Sequence, residues 1–92
     1  MPGPLPDVTI TDHARLEMDR RQIDETTVRS IVATPEQIVK TGRGRWIYQS
    51  RLRQGDARKM YIVRVIVDLG PSPPEVVTAY RSSKIEKYWR QQ

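Results

Sequence analysis

The chain has 92 residues, with 16 lysines and arginines against 11 aspartates and glutamates, so its formal net charge is +5. This length is enough for one small domain with one core, and it leaves no room for a nucleotide-binding domain beside a substrate domain. Cysteine is absent, and this excludes a disulfide scaffold, a thiolate nucleophile and a cysteine zinc site. Because His13 is also the single histidine, we expect neither a metal nor a cofactor.

The first third of the chain predicts two helices, because carboxylates that can cap a helix precede two stretches with apolar residues at helical spacing. Asp12 and Asp24 are the expected N-caps. Pro35 disfavours helical geometry in the residue before it and so ends the second helix. The predicted elements are a flexible leader over 1–6, a short edge strand over 7–11, and helices over 13–22 and 25–33. Beyond the leader, residues 7–92 are expected to form a single domain.

After Pro35 the apolar pattern changes to the alternation that is typical of strands. Residues 59–69 are apolar on both faces and predict a central strand, in which Arg64 is the one internal charge. The predicted elements are strands over 36–41, 45–52, 59–69 and 75–81, and a last helix over 84–90 that Ser82 or Ser83 caps. The expected fold class is α+β, with two N-terminal helices packed on a twisted, mostly antiparallel sheet of three to five strands and a short C-terminal helix.

Arginine accounts for twelve of the sixteen basic residues, which favours an anionic polymer as the partner. A guanidinium group suits phosphate oxygens and stacks on bases. The alternative is that the arginine-rich surface reflects GC-rich coding or simple solvation. Arginines around the middle hairpin and on the last strand are expected to follow an RNA backbone without choosing a sequence: Arg43, Arg45, Arg51, Arg53, Arg58 and Arg81.

The sequence also predicts a location. No apolar run approaches the ~20 residues that a bilayer-spanning helix needs, so we expect no membrane contact. The first residues lack the basic and apolar regions of a signal peptide. We therefore expect a cytoplasmic protein.

Five residues are candidates for metal-free cleavage of RNA. That reaction needs a base for the 2′-hydroxyl proton, cations for the phosphorane and an acid for the leaving 5′-oxygen. His13 is the candidate base, because histidine is the side chain that ordinarily changes charge near neutral pH and this one is at the predicted start of a helix. Arg21 and Arg64 are the candidate cations. Tyr80 or Lys84 is the candidate acid-side group. Lys84 lies at the predicted start of the last helix, and a helix N-terminus with basic neighbours is suited to bind phosphate.

Structural roles remain as alternatives for these residues. A charge inside an apolar strand is costly unless it is paired or reaches a wet cleft. A salt bridge between Arg64 and a carboxylate such as Glu17 is therefore the alternative to a phosphate-facing role. The other structural alternatives are a capping or packing role for His13, a solvated helix end for Arg21, a core position for Tyr80, and an anchor of the last helix for Tyr88 and Trp89.

Two short motifs resemble the ends of a family of small bacterial domains of unknown function related to the BrnT and RelE/ParE toxins. The motifs are His13-Ala14 with Met18, Arg21 and Ile23, and Thr78-Ala79-Tyr80 with Lys84. The resemblance covers about residues 10–89. One position departs from the family, which often has arginine directly before the methionine, where this chain has Glu17.

The resemblance implies a RelE-like or barnase-like ribonuclease fold. It also implies a toxin-like, metal-independent endoribonuclease that cuts mRNA and is neutralised by an acidic antitoxin protein. Two other functions stay open on the same residues. One is a non-catalytic RNA-binding or ribosome-associated domain, and the other is a module whose basic face binds an acidic protein.

Overall fold

The computed structural model describes residues 2–55 and 59–91, in which three helices pack on a five-stranded sheet. The elements in chain order are β1 (Thr9–Ile10), α1 (Asp12–Arg20), α2 (Glu25–Ala33), β2 (Gln37–Lys40), β3 (Arg45–Gln54), β4 (Lys59–Asp68), β5 (Glu75–Ser82) and α3 (Ile85–Tyr88). This architecture confirms the predicted α+β fold class. Among the described residues, no helix is both long and apolar enough to cross a membrane.

The strands are ordered β1-β5-β4-β3-β2, so that β4 lies in the middle of the sheet, as its apolar faces predict. β1 is parallel to β5, and the other neighbouring strands are antiparallel. The register places Arg64 of β4 directly between Gln49 of β3 and Tyr80 of β5. These three side chains therefore form one row across a single face of the sheet.

The two N-terminal helices begin at different kinds of cap. The Oγ1 atom of Thr11 accepts a hydrogen bond of 3.1 Å from the backbone N–H of Ala14, so the predicted cap at Asp12 is wrong by one residue. Asp24 caps α2 as predicted, and the hydrogen bonds from Thr27 lower the pKa of its carboxyl. α1 ends at Arg20, earlier than predicted, because Gln22 has a φ of 56° in the left-handed region, which no right-handed helix can include.

The hydrophobic core lies between one face of the sheet and the helices α1 and α2. Its buried members include Val28, Ile31 and Val32 of α2 and Val63, Val65 and Val67 of β4. The described leader residues also contact this layer. The Leu5 N–H donates to the carbonyl oxygen of Val32 at 2.7 Å, and the hydroxyl of Tyr48, whose pKa is raised by burial, donates to the carbonyl oxygen of Gly3 at 2.7 Å.

The last helix, α3, is a single turn and lies on the other face of the sheet. Side chains alternate along a strand, so Arg64 points away from the core residues Val63 and Val65. The ring of Tyr88 in α3 lies over the Arg64 guanidinium on that face. The predicted helix over 84–90 is longer than the observed one, since the backbone is already extended at Trp89.

Candidate active site

Arg64 is buried, with 6% of its surface exposed, and its guanidinium group is held by neutral partners. Its Nε atom donates a hydrogen bond of 2.8 Å to Oε1 of Gln49. Its Nη1 atom donates a hydrogen bond of 2.6 Å to the hydroxyl oxygen of Tyr80. The rings of Tyr88 and Tyr80 lie 4.4 Å and 5.7 Å from its Cζ atom. We call Gln49, Arg64 and Tyr80 the buried row.

No carboxylate in the described residues forms an ion pair with Arg64. The alternative of a salt bridge with Glu17 is therefore wrong, because α1 packs on the face of the sheet opposite to Arg64. A buried cation without an anion is unfavourable unless other groups compensate it. The amide oxygen, the phenol oxygen and the two tyrosine rings provide that compensation here without a negative charge.

A second cluster lies at α1, where three basic side chains surround Glu17. His13 Nε2 lies 3.8 Å from Oε1 of Glu17, and Arg20 Nη1 and Arg21 Nη2 each lie 3.6 Å from Oε2. His13, Glu17 and Arg21 are four residues apart in turn and so share one face of the helix. The His13 side chain is 67% exposed. We call His13, Glu17 and Arg21 the helix cluster.

The outer edge of β5 lies between the helix cluster and the buried row. Arg21 Nη1 donates a hydrogen bond of 2.8 Å to the carbonyl oxygen of Ala79 and lies 3.5 Å from Oγ1 of Thr78. Ala79 directly precedes Tyr80, which belongs to the buried row. The structure thus brings Arg21 to the strand that carries Tyr80, while His13 stays at the far end of the helix cluster.

Lys84 belongs to neither group. It is exposed at the start of α3, and its backbone N–H donates to Oγ of Ser82 at 3.0 Å. The side chain borders an open hollow that Ser83 and Lys87 also line. Of the five candidate catalytic residues, therefore, two lie in the buried row, two lie in the helix cluster and Lys84 lies apart.

Comparison with known protein families finds a match to the family described as Domain of unknown function (DUF4258), over residues 10–81. The chain belongs to this family. No curated protein and no solved structure matches the chain. The matched region of the DUF4258 domain contains both the helix cluster and the buried row, whereas Lys84 and α3 lie beyond it.

The predicted RNA-contacting arginines of the DUF4258 domain lie in different surroundings. Arg51 is held by Glu36, which accepts hydrogen bonds of 3.1 Å from both Nε and Nη2, and these bonds lower the pKa of the Glu36 carboxyl. The Arg51 guanidinium also lies 3.8 Å from the ring centre of Trp89. Arg81 donates to Oε1 of Gln54 at 2.9 Å and lies over the ring of Tyr61, with no carboxylate partner in the part of the chain that the structure describes.

The other predicted RNA contacts lie on or near the hairpin that β2 and β3 form. Arg43 is exposed in the turn between β2 and β3, and Arg45 and Arg53 are exposed on β3. Arg58 lies outside the described residues. These three arginines are therefore exposed, whereas Arg51 already has a carboxylate partner.

Sequence reasoning missed the amide side chains beneath α3. Gln49 is fully buried, and its Nε2 atom donates a hydrogen bond of 2.8 Å to Oε1 of Gln37. The sequence does contain one indication of this burial. Ile47 lies on the same side of β3 as Gln49, and an apolar residue there indicates that this side of the strand is covered. Within the described ranges, no group of three or more histidine, cysteine or acidic residues could hold a metal ion.

Proposed function

We propose that this DUF4258 domain is a toxin-like, metal-independent endoribonuclease, related to the BrnT and RelE/ParE toxins, that cuts mRNA and is neutralised by an acidic antitoxin. The observation that carries the proposal is the helix cluster. Two exposed groups that RNA cleavage needs, an imidazole and a guanidinium, lie 3.8 Å and 3.6 Å from the same carboxylate of Glu17.

In the proposed reaction, His13 takes the proton from a ribose 2′-hydroxyl, and the 2′-oxygen attacks the adjacent phosphorus. The Glu17 carboxylate stabilises the imidazolium that forms, in the way that an acidic partner supports a catalytic histidine. Arg21 lies on the same helix face and stabilises the charge of the phosphorane. The bond from phosphorus to the 5′-oxygen then breaks, which leaves a 2′,3′-cyclic phosphate and a 5′-hydroxyl.

The leaving 5′-oxygen needs a proton, and neither acid-side candidate lies in the helix cluster. The Tyr80 side chain lies in the buried row, on the face of the sheet opposite to α1, where its hydroxyl oxygen accepts the hydrogen bond from Arg64. We therefore assign Tyr80 no step and take solvent water as the proton donor. Lys84 lies apart from both clusters, and we assign it no step.

Non-catalytic RNA binding is the second candidate function, and one observation favours it. Arg64 is only 6% exposed, and the ring of Tyr88 lies over it, so the buried row is closed to substrate in this conformation. The exposed arginines of β3 and of the turn between β2 and β3 can bind an RNA backbone without the buried row.

Incubation with end-labelled single-stranded RNA in EDTA tests the proposal. We expect cleavage products that carry 2′,3′-cyclic phosphate ends, and a single 2′-deoxynucleotide at a mapped cleavage site should abolish the cut there, which also controls for other nucleases. RNA binding at low salt without cleavage would favour the non-catalytic function. Absence of both binding and cleavage would leave a basic module that binds an acidic protein.

A further inference from the structure

The buried row is closed by the segment 85–91, which we call the cover. The Tyr88 ring of the cover lies over the guanidinium of Arg64, with 4.4 Å between the ring centre and Cζ. The same ring meets that of Tyr80 edge to face, with centres 6.0 Å apart. The cover thus occupies the side from which a ligand would reach Arg64.

The cover is held by a few polar contacts. Gln49 Nε2 donates a hydrogen bond of 3.2 Å to the carbonyl oxygen of Tyr88. Gln37 Nε2 donates a hydrogen bond of 2.8 Å to the carbonyl oxygen of Arg90, and Gln37 Oε1 accepts one of 3.1 Å from the Arg90 N–H. None of the residues of α3 is buried, and Trp89 packs on the Arg51 guanidinium at the surface. None of these contacts belongs to the hydrophobic core, so separation of this segment from the sheet would leave the core closed.

An open hollow of about 520 Å³ lies beside the cover, lined by Arg51, Trp89 and Arg90 among others. Solvent and ligands therefore reach the edge of the cover. Release of Tyr88 would expose a guanidinium fork, a phenol hydroxyl and an amide in one row. An arginine that lacks a carboxylate partner is well suited to take a phosphate group through paired hydrogen bonds.

We propose that the cover and a phosphate group of a polynucleotide compete for Arg64, so that the cover gates an anion-binding site in the buried row. The family match ends at residue 81, before the cover begins, which is consistent with a gating segment attached to the domain. The proposal rests on the proposed function for the identity of the ligand, and it concerns binding rather than cleavage.

A single-stranded 2′-O-methyl oligonucleotide is the probe, because it keeps the phosphates and lacks the 2′-hydroxyl that cleavage needs. Tyr88→Ala should bind this probe on the order of tenfold more tightly than wild type, since the closed state lowers the apparent affinity. The gain should vanish when Arg64→Met is added. Gln91→Ala, a neutral change at an exposed cover residue, is the control and should bind as wild type does.

Trp89 reports the movement of the cover directly. The chain has two tryptophans, so Trp46→Phe leaves Trp89 as the only indole fluorophore. Saturating probe should make Trp89 more accessible to acrylamide quenching in this variant, and should not do so when Arg64→Met is added. Where Arg64→Met does not fold, as judged by circular dichroism, Arg64→Gln replaces it with the same expectation.

The proposal is overturned if Tyr88→Ala binds the probe no more tightly than wild type, or if Trp89 stays protected when the probe is bound. It is also overturned if the gain persists without the Arg64 charge, because the cover would then not compete for that group. An absence of RNA cleavage changes none of these results, so failure of the proposed enzymatic function can be told apart from failure of the gate.

Discussion

Arg64 and Tyr80 face each other on adjacent strands, and the Arg64 Nη1 atom donates a hydrogen bond of 2.6 Å to the Tyr80 hydroxyl oxygen. Tyr80→Phe removes this acceptor from a buried cation, and we expect a loss of about 1–3 kcal/mol in the free energy of unfolding. In an Arg64→Met background the same change should have little effect. Urea denaturation of the four proteins measures the coupling, and equal losses in both backgrounds would show that the two residues are not coupled.

Thr11 rather than Asp12 caps α1, and the Thr11 hydroxyl also donates to the carbonyl oxygen of Val76 at 3.1 Å. We expect Thr11→Ala to reduce the free energy of unfolding by about 0.5–2 kcal/mol. Thr11→Ser should keep most of the stability, and Thr26→Ala, at an exposed position of α2, is the control. If Thr11→Ala melts at the wild-type temperature, the start of α1 depends on another residue.

The lowered pKa values of the Asp24, Glu25 and Glu36 carboxyls predict that the protein loses stability in acid. Hydrogen bonds from Arg15 and Arg29 lower the pKa of Glu25, and those from Arg51 lower the pKa of Glu36. A pKa that is lower in the folded state stabilises the protein above the unfolded value, about 4.3, and this stabilisation is lost as the pH falls through the folded value.

These carboxyls should therefore have little effect on the melting temperature between pH 7 and about pH 5. At lower pH their protonation should lower the melting temperature. Glu36→Gln removes one of these carboxyls, so its melting temperature should fall less steeply below about pH 4.3 than that of wild type. Melting curves recorded by circular dichroism across this range provide the measurement. An equally steep fall in Glu36→Gln would exclude the Glu36–Arg51 pair as a source of the acid sensitivity.

The elements that local sequence determines could be predicted. α2 begins after Asp24 and ends before Pro35, as the cap and the proline predict. The central position of β4 follows from the apolar residues on both of its faces. α3 is shorter than the helix predicted over 84–90, because the backbone is extended at Trp89, whose ring lies against Arg51 of β3.

The partners of side chains across the sheet could not be predicted, because they depend on strand register. A shift of one residue would turn Arg64 to the opposite face, and the sequence does not state that Gln49 lies beside it. For this reason the sequence alone does not predict the neutral partners of Arg64 and leaves Glu17 open as an alternative. The contact of Arg21 with β5 likewise depends on how α1 packs, which apolar periodicity alone does not determine.

Binding to RNA should depend strongly on salt. If four to six arginines contact phosphates, the affinity for single-stranded RNA should fall by orders of magnitude between low and moderate salt, with a log–log slope of about −0.7 per contact. Arg81→Gln should make this slope shallower by about 0.7. Arg15→Gln changes the charge equally, but Arg15 is paired with Glu25 at 2.6 Å, so it serves as the control. A slope near zero in wild type would exclude phosphate contacts as the source of binding.

His13→Ala tests the central claim most directly, because the 67% exposed imidazole is the proposed base and contributes little to the core. We expect the rate of RNA cleavage in EDTA to fall by roughly 10²–10⁴-fold, while the RNA affinity and the melting temperature stay near those of wild type. Leu16→Ala, at a 58% exposed position of the same helix, should cleave normally. If His13→Ala cleaves RNA as fast as wild type, His13 is not the base and the proposed mechanism is wrong.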